Sequence, residues 1–268
     1  MSPLSPQETL QRLYKIYLDN PDYFAHMNTP TEEALLQIEK QQWSSESEAK
    51  EAIKSSLPEF KNRNEMWGFY ASNLTHCALS PLIPIAINQF TAAGKSNGLA
   101  VDIGCGNSAA IFYLLERGWT VIGVEKYQSA LDVLRTEVNK VNAKWLQTGQ
   151  LCLVCQEMEA YQFPKNVRLI VATSAFSYCD PSKFRNLWYK MEHALESGGR
   201  LIGNFFQPCS TLVLEKTLED SMCKALGVWF INLEAVKKLM SDKHYASELV
   251  REDNNPLQPS VNFIIRRV

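Results

Sequence analysis

The residues best suited to chemistry are two carboxylates set against a pair of glycines. Asp102 stands just ahead of the glycines in the run Gly98-Leu99-Ala100-Val101-Asp102-Ile103-Gly104-Cys105-Gly106-Asn107-Ser108, and Glu125 closes a second apolar run, Thr120-Val121-Ile122-Gly123-Val124. Glycines at the end of a parallel strand bring bare backbone close to a ligand, and the helix that follows offers unpaired N–H groups. A carboxylate at the tip of the neighbouring strand accepts both hydroxyls of a ribose. The stretch therefore marks a site for a nucleotide-type ligand.

Glycine spacing alone leaves the ligand open, because Gly104-Cys105-Gly106-Asn107-Ser108-Ala109 also fits the dinucleotide fingerprint G-x-G-x-x-G/A. Asp102 discriminates. A carboxylate at this point repels a pyrophosphate but attracts the α-amino group and sulfonium of S-adenosylmethionine, which carries no phosphate. Here Val101-Asp102-Ile103-Gly104-Cys105-Gly106 resembles the first motif of the class I S-adenosylmethionine-dependent methyltransferases, roughly [V/L]-[L/V]-D-[I/L/V]-G-C-G-x-G. The chain departs from it at the last glycine, which is Ser108. The resemblance extends over residues 64–268. It implies an α/β, Rossmann-like sheet, mostly parallel with an antiparallel final strand, and S-adenosylmethionine as cofactor with S-adenosylhomocysteine as product.

The same resemblance implies a set of contacts. Asp102, Gly104, Cys105, Gly106, Asn107, Glu125 and Lys126 fall in the first two motifs. Glu157 and Met158, after the run Leu151–Gln156, take the places of an adenine-amino acceptor and an apolar residue under the ring. A helix-start acid and a core methionine are the competing roles for that pair. Thr173-Ser174-Ala175-Phe176-Ser177-Tyr178 is similar to the family's V-A-S-x-A-[L/F]-x-[H/Y] exit beside the methyl group, which puts Thr173 and Ser174 at the cofactor. Relatives that modify DNA or RNA bases carry an Asn/Asp-Pro-Pro-aromatic run at that exit; this sequence does not.

Methyl transfer is an in-line displacement from a good leaving group, so positioning can supply a large share of the roughly 7–11 kcal/mol available from oriented proximity. Where the acceptor is a hydroxyl or thiol a general base helps, and Tyr178 or a histidine is the candidate. Of the four histidines, His193 and His244 fall at a helix surface and a strand start, and His26 and His76 join no motif. No H-x-x-x-H, H-E-x-x-H or clustered acid pattern calls for a metal.

A formal net charge of −2 over 268 residues argues against electrostatic binding to nucleic acid or an anionic membrane. The start, Met1-Ser2-Pro3-Leu4-Ser5-Pro6, lacks a basic region followed by an apolar run, and no stretch is long and apolar enough to span a bilayer; a cytoplasmic setting is expected. Seven cysteines without repeated spacing fit reduced thiols. Cys152 and Cys155 lie in a strand, where residues three apart face opposite sides and share neither a metal nor a disulfide.

Helices alone precede residue 98. Ser5-Pro6-Gln7-Glu8 and Thr29-Pro30-Thr31-Glu32 read as helix starts, with further helices near 46–55, 64–75 and 81–92. Strands and helices then alternate: strand 98–104, helix 107–117, strand 120–125, helix 127–142, strands 150–156 and 168–174, helix 181–196 and strand 200–206. Helices 211–226 and 232–241 follow, and two strand-like runs, His244–Arg251 and Ser260–Val268, close the chain around turn residues 252–256. A short connection of that kind makes the pair antiparallel. The expected organisation is an N-terminal helical extension over 1–63 and a cofactor-binding domain over 64–268.

Trp67 and Tyr70, in Asn64-Glu65-Met66-Trp67-Gly68-Phe69-Tyr70, are expected either to form a lid over the cofactor or to pack as core. Phe205, Phe206, Trp229 and Phe230 carry the same two readings, acceptor pocket or core. The expected activity is methyl transfer to a small molecule, and size and order are similar to tellurite-resistance-type and ubiquinone-biosynthesis-type methyltransferases. A nicotinamide-dependent oxidoreductase, and a non-catalytic cofactor-binding protein acting through its helical extension, are the alternatives.

Overall fold

The computed structural model describes residues 63–73, 79–95, 97–207, 229–241, 244–253 and 260–268. The chain divides into two compact units, Met1–Cys77 and Ala78–Val268. In the first, helix α1 spans Arg63–Asn73. Trp67 is half-buried there, whereas the side chain of Tyr70 lies outside the described residues. The expected helix starts at 5–8 and 29–32, the helices 46–55 and 211–226, and His26 and His76 also lie outside them.

The second unit is built on one seven-stranded sheet. Its described elements are α2 (Leu82–Ala92), β1 (Leu99–Ile103), α3 (Ala109–Glu116), β2 (Thr120–Glu125), α4 (Gln128–Asn142), α5 (Lys144–Gln147), β3 (Leu151–Cys155), β4 (Val167–Ala172), a 3₁₀ turn (Phe176–Tyr178), α6 (Pro181–Ala194), β5 (Leu195–Phe206), α7 (Leu233–Leu239), β6 (Tyr245–Asp253) and β7 (Ser260–Arg267). Strand order is β3-β2-β1-β4-β5-β7-β6. The first five are parallel to one another, and β7 runs antiparallel to both β5 and β6. The reversal expected from the closing pair is therefore present.

Each central strand is apolar on both sides, as a strand covered by helices on both faces must be. Val101, Ile103, Ile170 and Phe205 pack on one face with Phe184, Trp188 and Met191 of α6. Ala100, Val121, Leu169 and Ile202 pack on the other with Leu82, Phe90, Ile111, Leu114 and Leu134 of α2, α3 and α4. Phe205 and Phe206 are buried, and Trp229 and Phe205 sit 5.7 Å apart edge to face, so this group of aromatics joins the core. Phe176 lies at its centre, stacked on Phe205 at 5.2 Å and on Phe263 at 6.1 Å.

Strand β5 begins earlier than the glycines at 198–199 suggest. Val167 pairs with Leu195, and the register then jumps to Leu169 with Arg200. Gly199 makes the crowded bulge possible, since a Cβ there would lie 2.8 Å from the Glu196 carbonyl oxygen. A second bulge falls in β6, where Ser247 pairs with Ile265 and Leu249 with Ile264, leaving Glu248 as the extra residue. Its carboxylate receives Arg200 at 2.7 and 3.0 Å and Arg266 at 3.0 Å. Arg200 also bonds Gln89 at 3.1 Å and lies 4.4 Å over the Phe90 ring, which ties α2 to the sheet.

Candidate cofactor site

The carboxyl ends of β1, β2 and β3 converge on the glycine loop. Gly104 and Gly106 both take left-handed backbone angles, φ +65° and +48°, which glycine adopts without strain. The turn folds over the tip of β2: Gly104 and Cys105 donate their N–H groups to the Val124 carbonyl at 2.8 and 3.1 Å. A methyl group placed on Gly104 would lie 2.8 Å from the Ala175 Cβ and 3.7 Å from Met158 Cε, so this glycine is required by close approach as well as by φ. At Gly106 the same methyl group would meet nothing within 4 Å.

Ser108 has extended backbone, φ −77° and ψ 123°, and its hydroxyl accepts the Ala110 N–H at 3.1 Å. It is the N-cap of α3. The last glycine of the motif is dispensable here because the position needs no positive φ, and serine satisfies a helix N–H that glycine would leave to solvent. The Ser108 hydroxyl also bonds Asp102.

Asp102 is 2 % exposed, and its Oδ2 has no hydrogen-bond partner among the described residues. Burial pushes its carboxyl up to about 7, the Ser108 hydrogen bond opposes this, and the Glu125 charge adds to it. Burial also raises Glu125, against hydrogen bonds from the backbone N–H groups of Tyr127, Gly106 and Lys126 and the Lys126 charge. Oε2 of Glu125 accepts from Gly106 at 3.1 Å and Oε1 from Tyr127 at 3.0 Å. A carboxylate offers about four lone-pair sites, so three backbone donors leave at least one for a hydroxyl donor.

The other expected residues distribute around this centre. Cys105 contributes backbone to the loop, while its side chain is buried in the core cluster under α3, where burial, then the charges of Asp102 and Glu125, hold the thiol well above its usual range. Asn107 is 7 % exposed at the same turn. Lys126 and Glu157 form an ion pair at 2.5 Å between the exits of β2 and β3. The Glu157 hydrogen bond raises Lys126, and the same bond lowers Glu157. Met158 packs beside Gly104, and Thr173 is half-buried at the end of β4.

Ser174 takes φ +54°, and its N–H donates to Asn204 Oδ1 at 2.5 Å. Tyr178 belongs to the 3₁₀ turn, with its ring edge-on to Phe206 at 5.8 Å. Trp67 and Tyr70 lie on α1 of the N-terminal unit. Three residues that spacing did not single out complete the β4 exit: Ala175 against Gly104, Asn204 on Ser174, and Ser177, whose buried hydroxyl accepts the Phe206 N–H at 2.9 Å. Ala175 and Ser177 lie in the turn after β4 and Asn204 in β5, and small or amide side chains at such places carry no periodic signal of these roles.

His193 is a helix-surface residue, its Nδ1 2.8 Å from the Tyr189 carbonyl oxygen. Cys105, Cys152, Cys155 and Cys179 are free thiols. Among the described residues no group of three or more His, Cys, Asp or Glu stands together to hold a metal, and no helix is long and apolar enough to cross a membrane.

A buried carboxylate oxygen without a donor among the described residues, next to a second carboxylate with a free lone pair, fits a ligand carrying an ammonium and vicinal hydroxyls and opposes a pyrophosphate. Residues 100–199 match the family model described as a methyltransferase domain. Solved structures share the fold. Geranyl diphosphate C-methyltransferase from Streptomyces coelicolor A3(2) has 14 % identity and a TM-score of 0.52 over 69 % of this chain and 76 % of its own. TehB from Haemophilus influenzae has 14 % identity and a TM-score of 0.55 over 76 % and 68 %. The N-methyltransferase NodS from Bradyrhizobium japonicum WM9, in complex with S-adenosylhomocysteine, has 12 % identity and a TM-score of 0.53 over 77 % and 93 %. No curated protein matches the chain in sequence. The chain therefore carries a methyltransferase domain over residues 100–199, on a sheet with the fold of these solved structures. It is an enzyme of the transferase class.

Proposed function

We propose that this enzyme methylates a small-molecule acceptor. S-Adenosylmethionine supplies an activated methyl group on a sulfonium when bound. In this reading Glu157 on the β3 side takes the adenine amino group, Glu125 at β2 the ribose hydroxyls and Asp102 at β1 the ammonium, an order that the sequence of strands supports. Lys126 fixes Glu157 through their ion pair, and Met158, beside Gly104, offers the apolar surface. The observation that carries this reading is the Asp102 Oδ2, buried and without a donor among the described residues.

Support for a small acceptor comes from the β4 exit, which lacks the Asn/Asp-Pro-Pro-aromatic run of base-modifying relatives, and from the net charge of −2, which gives a polyanion no attraction. One structural relative is described with geranyl diphosphate, a small molecule. Tyr178, at the rim of that exit, is the candidate base for a hydroxyl or thiol acceptor. A cytoplasmic setting accords with the free thiols. Trp67 and Tyr70 are assigned to a lid over the cofactor, and the extension is assigned to 1–63.

Calorimetry with S-adenosylhomocysteine and with NAD tests the cofactor. The expected result is binding of the first and none of the second; tight NAD binding without a response to S-adenosylhomocysteine would overturn the reading.

A further inference from the structure

We infer that Asn204 is a positioning residue that sets the height of the β4 exit over the cofactor loop, so that it governs binding of the amino-acid end of the cofactor and not its adenosine end. The inference rests on the cofactor assignment proposed above. The parallel ladder between β4 and β5 ends at Ala172 opposite Gly203. Beyond it the β4 chain turns away, and its amide groups lose their ladder partners. Asn204, the next residue of β5, replaces the ladder with its side chain: Oδ1 takes the Ser174 N–H at 2.5 Å.

That bond holds a conformation that serine does not choose for itself. Ser174 has φ +54°, a left-handed angle that is unfavourable for a non-glycine residue and persists where its surroundings over-determine it. Asn204 is one such constraint. Two residues along β5, the Phe206 N–H donates to the buried Ser177 hydroxyl at 2.9 Å, so the exit is held at both ends by the same strand.

Between those two anchors lies Ala175, whose Cβ leaves no room for a methyl group on Gly104. Asn204 thus acts through Ser174 and Ala175 on the first glycine of the loop. Strand order decides which part of the cofactor feels it. Adenine and ribose belong to β3 and β2 on one side of β1, whereas β4 lies on the other side, next to Asp102 and the ammonium.

The experiment compares S-adenosylhomocysteine with 5′-methylthioadenosine, which keeps the adenosine and lacks the amino-acid end, by calorimetry on the full chain. Loss of one hydrogen bond that orders the loop should weaken S-adenosylhomocysteine about three- to tenfold in Asn204→Ala, with 5′-methylthioadenosine changed by less than about twofold. Asn204→Asp keeps an acceptor oxygen at the same reach and should restore the S-adenosylhomocysteine affinity. Ser174→Gly, which removes the left-handed penalty, should make the alanine variant milder.

Equal losses for both ligands, or none for either, would overturn the assignment of Asn204 while leaving the cofactor reading intact. A wild-type chain that binds neither ligand would take down the cofactor reading and this inference with it. Should Asn204→Ala fail to fold, the aspartate variant and Ser174→Gly still decide: loss of discrimination between the two ligands in the aspartate variant overturns the inference.

Discussion

Glu125 and Gly106 are joined directly, with the carboxylate Oε2 accepting the glycine N–H at 3.1 Å. Its other oxygen takes the N–H of Tyr127 at the start of α4. One side chain therefore shapes the glycine loop, begins the next helix and retains a lone pair for a hydroxyl donor. In the cofactor reading proposed above, loop geometry and ligand affinity are set by the same group.

Removing that group should cost affinity on two counts. Charge-assisted hydrogen bonds are worth about 1.5–3 kcal/mol, so Glu125→Ala should raise the S-adenosylhomocysteine dissociation constant at least about tenfold. Glu125→Gln should also weaken binding, because an amide nitrogen must then face an N–H donor. Calorimetry on folded variants checks both, and an unchanged constant would place the ribose elsewhere.

With Asp102 facing the ammonium as proposed, binding should depend on pH. Its folded carboxyl titrates near 7, raised by burial, against an ordinary value of 3.8. Below 7 the proton on Asp102 removes the charge that an ammonium requires, so affinity for S-adenosylhomocysteine should rise as pH goes from 6 to 8. Binding above the midpoint needs no proton release, whereas binding below it expels one. Asp102→Asn should flatten the profile and weaken binding at pH 8; a wild-type profile already flat across this range would refute the assignment.

The same shift has the opposite sign for stability. An acid whose folded value is raised keeps its proton longer in the folded state, so the ligand-free protein loses stability as pH rises from about 4 to 7 and is level above. At 1.36 kcal/mol per unit the loss is at most about 4 kcal/mol. Urea unfolding at pH 5 and pH 8 should show Asp102→Asn narrowing the difference between the two.

Much of this was legible in sequence. The runs ending at Ile103, Glu125 and Ala172 stand out because central parallel strands are apolar on both faces, and the turn residues at 252–256 announce the antiparallel close. Ser108 looked like a departure from the motif and is a helix cap, a role visible in the Ser-then-helix pattern but masked by alignment to glycine. The bulge at Glu248 and the hold of Asn204 on Ser174 were not legible. Both arise from register, which depends on partners far away in the chain, and local residue types do not encode it.

The Glu248 bulge predicts a stability effect remote from the site. Arg200 and Glu248 are 7 % and 17 % exposed at the side chain, and removing Arg200 leaves the carboxylate with the more exposed Arg266 alone, a loss of charge-assisted hydrogen bonds of about 1.5–3 kcal/mol. Arg200→Met should lower the urea midpoint sharply. Arg266, more exposed, should matter less, and Arg266→Met should fall within about 1 kcal/mol of wild type. Equal losses for the two arginines would mean that burial does not set the worth of this network.

The N-terminal helix gives the last prediction. Lids come from the less stable parts of a structure and become ordered when a ligand fills the space beneath them. If Trp67 and Tyr70 cover the cofactor, hydrogen exchange across residues 64–75 should slow when S-adenosylhomocysteine is added, together with exchange at 102–107 and 125. Apolar residues alone do not distinguish a lid from a core helix, since a core helix is protected with or without ligand; the change on binding is what separates them. Protection confined to the glycine loop and Glu125 would remove the lid and leave the cofactor site open on that side, a geometry that suits a larger acceptor than the one proposed.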